Sequence, residues 1–258
     1  MILHERLLML WGFLHIGELV RRRALRRELC KVLREHSALR RSTRLLDAGC
    51  GRGDIARWCA RRFPDAHVDA VDLDPARVAL VARRAAVEGL QNVSAREHDV
   101  ALPLPSGTSP YAIIYSVDVF EHLRDPAAAL RTLAASIIPG GSLLIHVPRA
   151  VQRRWCKQFE HYEQDDHERD GFEPEVLAQL AREAGLTVVR MRHTFGPPGA
   201  LAWELFHLAQ RVGKAFALAT YPVPWLLAQL DGCIRWKRGN GVLAVLSKPA
   251  ASSSKTGA

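Results

Sequence analysis

Short apolar runs alternate with stretches of helical period through residues 43–148, and few folds accept that alternation. "RLLDAG" at 44–49 reads as a strand, "DIARWCARRF" as a helix, "HVDAVDLD" as a strand, and "PARVALVARRAAVEG" as a helix with proline in its first turn. "VSAREHD" and "YAIIYSVD" are two further strands, followed by the helix "PAAALRTLAASI" and the strand "GSLLIHVP". Beyond them "EPEVLAQLAREAG" is a helix stopped by Gly185, and "LTVVRMRHTF" and "GVLAVLSKP" are the last two strands. Strands alternating with helices at this spacing predict an α/β fold: a doubly wound, mostly parallel sheet of seven strands with helices on both faces.

Residues 196–240, before the last strand, exceed the usual loop of about 4 to 6 residues. Leu201, Leu205, Leu208, Val212, Ala215 and Ala219 recur there at helical spacing, "YPVP" interrupts, and Trp225, Leu226, Leu230 and Ile234 resume it. The segment is therefore expected to be a helical insertion in a domain spanning 43–248. Residues 249–258, ending "SSSKTGA", are expected to be a disordered tail.

The net charge of +9 is uneven: residues 1–44 hold eleven Lys/Arg against four Glu, +7 of the total. Basic character thus belongs to an N-terminal extension over 1–42, not to the predicted sheet. Its apolar run "LLMLWGFLHIGELV" contains His15 and Glu18 and falls short of the about 20 apolar residues that cross a bilayer. With "RRRALRR" after the run instead of before it, it is not a secretory signal either. An amphipathic, basic helix is expected, able to make peripheral contact with an anionic group or lipid surface. Five scattered cysteines without a CxxC pair argue against a disulfide framework and a zinc site, and so for a cytoplasmic protein, peripheral at most to the inner face of a membrane.

The turn after the first strand, "LLDAGCGRGD", decides the ligand class. A dinucleotide fingerprint starting at Gly49 requires glycine where Asp54 stands, and a phosphate loop requires a Lys-Ser/Thr pair that is missing. Asp47 and Asp54 would also repel a pyrophosphate at the helix N-terminus. A ligand with a nucleoside and a cationic end fits better, with Asp47 on an ammonium group. Asp72 ends the second strand, where a carboxylate meets ribose hydroxyls in such folds, and Asp99 ends the third, within reach of an adenine amino group.

From here the chain resembles the class I S-adenosylmethionine-dependent methyltransferases of small-molecule type, over roughly residues 43–195 and again at 241–248. The resemblance is an ordered series: "LLDAGCGRG", "AVDLDP", "HDVALPLP", "SVDVFEHLRDP" and "IIPGGSLLIHVP". It implies a Rossmann-like fold and S-adenosyl-L-methionine as methyl donor. It further implies that Asp47, Gly49 and Gly51 hold the methionine end, Asp72 the ribose with Leu73 against adenine, and Asp99 and Val100 the adenine edge, with Cys50 and Ser116 also at the cofactor. "YAIIY", with Ala112, departs from a pattern such as "FDLV" that supports the fold.

Methyl transfer needs the acceptor lone pair held about 3 to 3.5 Å from the methyl carbon, and a hydroxyl acceptor gains about 10² to 10⁴ from a general base. The candidates are His122, after the fourth strand, and His167 in "HYEQDDHERDGF", oriented by Asp165 or Asp166. His161 and His167, six apart, have no recognisable ligand spacing, so no metal is expected. Trp11, Phe206, Phe216 and Trp225 are expected to line a pocket for an apolar acceptor. O-methylation of a small, hydrophobic or lipid-like metabolite follows. The alternatives are a nucleic-acid methyltransferase, disfavoured because no NPPY-like motif follows the fourth strand, and a non-catalytic cofactor-binding or adaptor protein.

Overall fold

The computed structural model describes residues 16–35, 43–159 and 167–250. Trp11, His161, Asp165, Asp166 and most of the tail lie outside the described residues. The elements are α1 (Ile16–Glu35), β1 (Arg44–Ala48), α2 (Asp54–Arg62), β2 (His67–Asp72), α3 (Pro75–Val87), β3 (Val93–Glu97), β4 (Tyr111–Val117), α4 (Pro126–Ala135), β5 (Ile137–Pro148), α5 (Pro174–Glu183), β6 (Thr187–Thr194), α6 (Pro197–Val212), α7 (Lys214–Thr220), α8 (Pro222–Asp231) and β7 (Gly241–Ser247).

The seven strands run in the order β3-β2-β1-β4-β5-β7-β6, as one mixed sheet in which only β7 is antiparallel to its neighbours. Both Leu45 and Leu46 are fully buried, since consecutive strand residues face opposite sides and helices cover each side. One face packs Leu46, Ile114 and Ile145 against Leu130 of α4 and Leu177 of α5; the other packs Leu45, Ile113 and Leu144 against Ile55 of α2 and Val81 of α3. Strand order reverses between β2 and β4 on either side of β1, which opens a crevice at the carboxyl ends of β1 and β4.

Local signals set the helix starts. Asp74 caps α3 by accepting from the Ala76 N–H at 2.8 Å, Asp125 caps α4 by accepting from the Ala128 N–H at 2.8 Å, and a proline follows each cap. β5 begins earlier than the sequence pattern indicates: Ile137 pairs with Tyr111, and a register shift between Tyr111 and Ile113 absorbs the "PGG" kink inside the strand.

The N-terminal helix is no loose appendage. Leu25, Leu29 and Val32 of α1 are buried in the same core as Leu45 and Ile113. Its cluster of arginines divides between inside and outside. Arg21 pairs with Asp118 at 2.7 Å, Arg22 with Asp54 at 3.0 Å, and the Arg26 guanidinium stacks over Trp58 at 5.0 Å. Three of the five arginines of "RRRALRR" are therefore engaged within the protein.

The insertion forms α6, α7 and α8, and a third core joins Ala202, Trp203 and Phe206 of α6 to Ile16 and Val20 of α1 and to Phe159. Among the described residues no helix is long and apolar enough to cross a membrane.

Candidate active site

The glycine turn leaves β1 at the strand-order reversal and spends its amides on the protein itself. Gly49 and Cys50 donate to the Val71 carbonyl at 2.9 and 2.8 Å, Gly53 to the Cys50 carbonyl at 2.8 Å, and Gly51 to Oδ2 of Asp72 at 2.7 Å. With these amides engaged they offer no cradle for a phosphate. Asp54, expected to repel phosphate, plays another part: Arg22, Arg57 and Arg84 surround it at 3.0, 2.6 and 3.6 Å and neutralise it. The exclusion of phosphate thus rests on the spent amides.

Asp47 is buried beneath the turn, and its Oδ2 has no hydrogen-bond partner among the described residues. Burial, with Asp72 and Asp54 nearby, pushes its carboxyl up to about 8. An orphaned buried carboxylate oxygen is what an ammonium group would satisfy. Gly51, at φ +51°, has nothing within 4 Å of the direction a Cβ would take, whereas a Cβ on Gly49, at φ +81°, would collide with Val119. Open space over one glycine and close backbone packing at the other fit a ligand lying along the turn. These residues fit a nucleoside with a cationic amino-acid end.

The other expected cofactor residues fall as follows. Asp72 is buried, its Oδ1 accepting from the Asp74 N–H at 3.1 Å. Leu73 is 66% exposed, a large apolar side chain at the crevice edge. Asp99 closes the turn after β3, accepting from the Ala101 N–H at 2.8 Å, and His98, beside it, donates to the Asp72 carbonyl at 3.0 Å. Val100 packs into the core. Ser116 is fully buried and donates to the Ala48 carbonyl at 2.8 Å, so it ties β4 to the start of the turn. Burial pushes the Cys50 thiol up, leaving it uncharged.

A cavity of about 800 Å³ opens at the carboxyl ends of β4 and β5. Its floor is a charge network that sequence patterns do not reveal. Asp118 receives Arg21 at 2.7 Å on one oxygen and Nδ1 of His146 at 2.6 Å on the other; Nε2 of His146 meets the Thr194 hydroxyl at 2.8 Å. Burial alone would raise the Asp118 carboxyl, but Arg21 and His146 hold it below its ordinary value. Glu121 is buried beside it, its Oε2 without a hydrogen-bond partner among the described residues; burial, then repulsion from Asp118, pushes its carboxyl well up.

Both non-glycine residues with positive φ among the described residues, Asp118 at +50° and Phe195 at +51°, line this cavity. Such backbone is costly and is retained where the site over-determines it.

His122 and His167, 45 positions apart, come together with ring centroids 4.5 Å apart and edge to face. Donor atoms of Glu121, His122 and His167 lie within 4.8 Å of one another, close enough to pass a proton or share a cation. The Glu168 N–H donates to the Glu121 carbonyl at 3.0 Å, and Arg169 to the Leu123 carbonyl, which docks the 167–170 segment on the turn after β4. His167 lines the cavity; the turn residues Asp47, Gly49 and Gly51 do not, and the two regions join where Asp118 and Val119 are adjacent.

The expected aromatic lining requires correction. Phe206 is buried in the third core, Phe216 and Trp225 face solvent, and the cavity's aromatic walls are Phe159, Phe195 and Trp203. Polar groups otherwise dominate the lining, because α1 delivers Arg21, the turn after β4 Asp118 and Glu121, and the end of β5 His146. Periodicity could not separate these alternatives: a helix inside an insertion has two apolar faces to offer, and only packing selects one.

A family model described as a methyltransferase domain matches residues 21–191. The ubiquinone biosynthesis O-methyltransferase of Caulobacter sp. (strain K31) is 34% identical over 199 residues, 76% of this chain and 66% of that protein. That of Aeromonas salmonicida (strain A449) is 32% identical over 106 residues, 40% of this chain and 42% of that protein. The aligned stretch therefore spans just under two thirds of the Caulobacter protein and under half of the Aeromonas one. Among solved structures, Haemonchus contortus phosphoethanolamine N-methyltransferase 2 in complex with S-adenosyl-L-methionine superposes with a TM-score of 0.62 at 19% identity, covering 86% of this chain and 52% of that one; the likeness is one of fold. With the family match running over more than half its length, through the glycine turn and five of the seven strands, the chain belongs to the class I S-adenosylmethionine-dependent methyltransferases.

Proposed function

We propose that the protein transfers a methyl group to a hydroxyl of a small, hydrophobic or lipid-like acceptor seated in the cavity. The observation that carries this reading is the juxtaposition of His122 and His167 with the buried Glu121, beside a cavity with aromatic walls. The O-methyltransferase names of the Caulobacter and Aeromonas relatives support a hydroxyl acceptor and a ring or chain of low polarity.

On this reading Asp47 pairs with the ammonium of S-adenosyl-L-methionine, and Gly49, Cys50 and Gly51 give the backbone room for its chain. Asp72 accepts from the ribose hydroxyls, Leu73 covers adenine, and Asp99 and Val100 border its edge. Ser116 acts through position, by fixing the Ala48 carbonyl under the turn. The sulfonium supplies an electrophilic methyl; the chain aligns the acceptor and takes its proton. His167 is the general base and His122 its neighbour, able to stabilise or pass on the proton.

Turnover of labelled S-adenosyl-L-methionine against a panel of catechols, phenols and aliphatic alcohols with apolar tails tests the reading. The expected result is methylation of a phenolic member, with His167→Ala lowering kcat by about 10² or more while cofactor binding is kept. Normal turnover by His167→Ala would overturn the base, and methylation confined to amines would overturn the acceptor class. Dialysis against EDTA is the control: activity lost and restored by a divalent cation would assign the cluster to a metal instead.

A further inference from the structure

Helices α7 and α8 turn apolar side chains to solvent. Phe216, Leu218, Val223, Leu226, Leu230 and Ile234 are each 45–57% exposed, and Trp225 is 44% exposed. In α8 the buried positions are Pro224, Ala228 and Asp231, at i, i+4 and i+7; Val223, Leu226 and Leu230 form a second stripe that leads away from the protein. A helix resting on its protein carries polar residues on that outer stripe, so this one is apolar on two sides.

The rim of the face is basic. Lys214, Arg235, Lys237 and Arg238 are all exposed, and among the described residues none of them is ion-paired, whereas Arg211 donates to Gln158 at 2.8 Å and lies over the Phe159 ring. The single acid between 211 and 238 is Asp231, which is buried. From α1, Arg27 donates to the Gly232 carbonyl and Arg23 approaches Sγ of Cys233 at 3.9 Å, bringing the other two arginines of the cluster to the same edge. Aliphatic side chains at the centre, an exposed tryptophan and a cationic border match an anionic bilayer: the apolar groups enter the acyl boundary and the cations meet the headgroups. A symmetric second copy would set cationic rim against cationic rim, and a nucleic acid would leave the aliphatic centre without a partner.

We propose that the α7–α8 face, with its basic rim, docks the protein on an anionic lipid surface. The sequence pattern assigns that contact to the N-terminal segment, but Arg21, Arg22 and Arg26 are engaged inside, and the exposed apolar surface lies in the insertion. Docking does not depend on the identity of the acceptor. It would place the protein beside a lipid-like acceptor's own phase.

Co-sedimentation of the full chain with vesicles, without cofactor or acceptor, tests this independently of the methyl-transfer reading. Binding is expected to phosphatidylcholine vesicles containing phosphatidylglycerol, weak binding to phosphatidylcholine alone, and release by salt at about 0.5 M. Each surface cation contributes about fivefold, so Arg235→Gln, Lys237→Gln and Arg238→Gln together should weaken partitioning by about 100-fold. Leu226→Glu with Leu230→Glu should weaken it at least about tenfold, with the circular dichroism spectrum of the wild type. Binding that survives both sets of changes overturns the proposal. So does a wild type that fails to sediment but is dimeric by light scattering and becomes monomeric in the Leu226→Glu, Leu230→Glu variant.

Discussion

Asp47 is a buried carboxyl with one oxygen that has no hydrogen-bond partner among the described residues. Its value in the folded chain, about 8, lies above the 3.8 of an unperturbed aspartate. Between those two values the folded state holds a proton that the unfolded state has released, so stability without ligand falls as pH rises through the window and levels off above it. The slope is on the order of 1 kcal/mol per pH unit. Thermal melts of the ligand-free protein from pH 5 to pH 8 should show this fall, and Asp47→Asn should flatten it. Calorimetry should find the same variant binding S-adenosyl-L-methionine at least about tenfold more weakly, since an amide offers no charge to an ammonium group. The residue-scale reading of Asp47 came from a turn and two flanking acids, all within ten positions of chain. Asp54, equally conspicuous in that stretch, needed Arg22 and Arg84 from distant helices to show that its charge is spent inside.

The elements followed from local patterns because hydrophobic period, proline at a first turn and a capping aspartate act over a few residues. Helix α1 marks where that reasoning ends. An amphipathic basic helix has the same pattern whether it lies on a bilayer or on its own sheet; here Leu29 is buried beneath the sheet face with Leu45 and Ile113. Leu29→Ala should therefore cost about 2 to 5 kcal/mol in denaturant unfolding, as expected for a core leucine and far beyond what an adsorbed surface helix would lose. The insertion illustrates the same limit from the other side. Its helices were evident from spacing, yet which of their apolar residues enter the core and which meet solvent was settled by the approach of α1.

Across the whole molecule, the insertion and the sheet are joined at the cavity by Glu204 of α6, fully buried, which accepts from the Trp155 N–H at 2.9 Å and the Cys156 N–H at 2.8 Å. That carboxylate holds the segment after β5, which carries Phe159, against Trp203 of α6. Glu204→Ala should leave both amides unpaired and loosen the wall, raising KM for the acceptor several-fold or more while calorimetry finds cofactor affinity unchanged.

What the sequence by itself determined was the alternation of strands and helices, the glycine turn with Asp47, and the acids at the end of β2 and just after β3. Each of these is written in neighbouring residues, so local physics suffices to read it. Tertiary structure alone decided that His146 would bridge Asp118 and Thr194, that the Glu121 carboxyl would be buried beside them, and that His167 would meet His122. Those groups sit far apart in the chain and share no period; they converge because the sheet order brings the ends of β4, β5 and β6 to one edge of one crevice, where burial and mutual charge give them their chemistry.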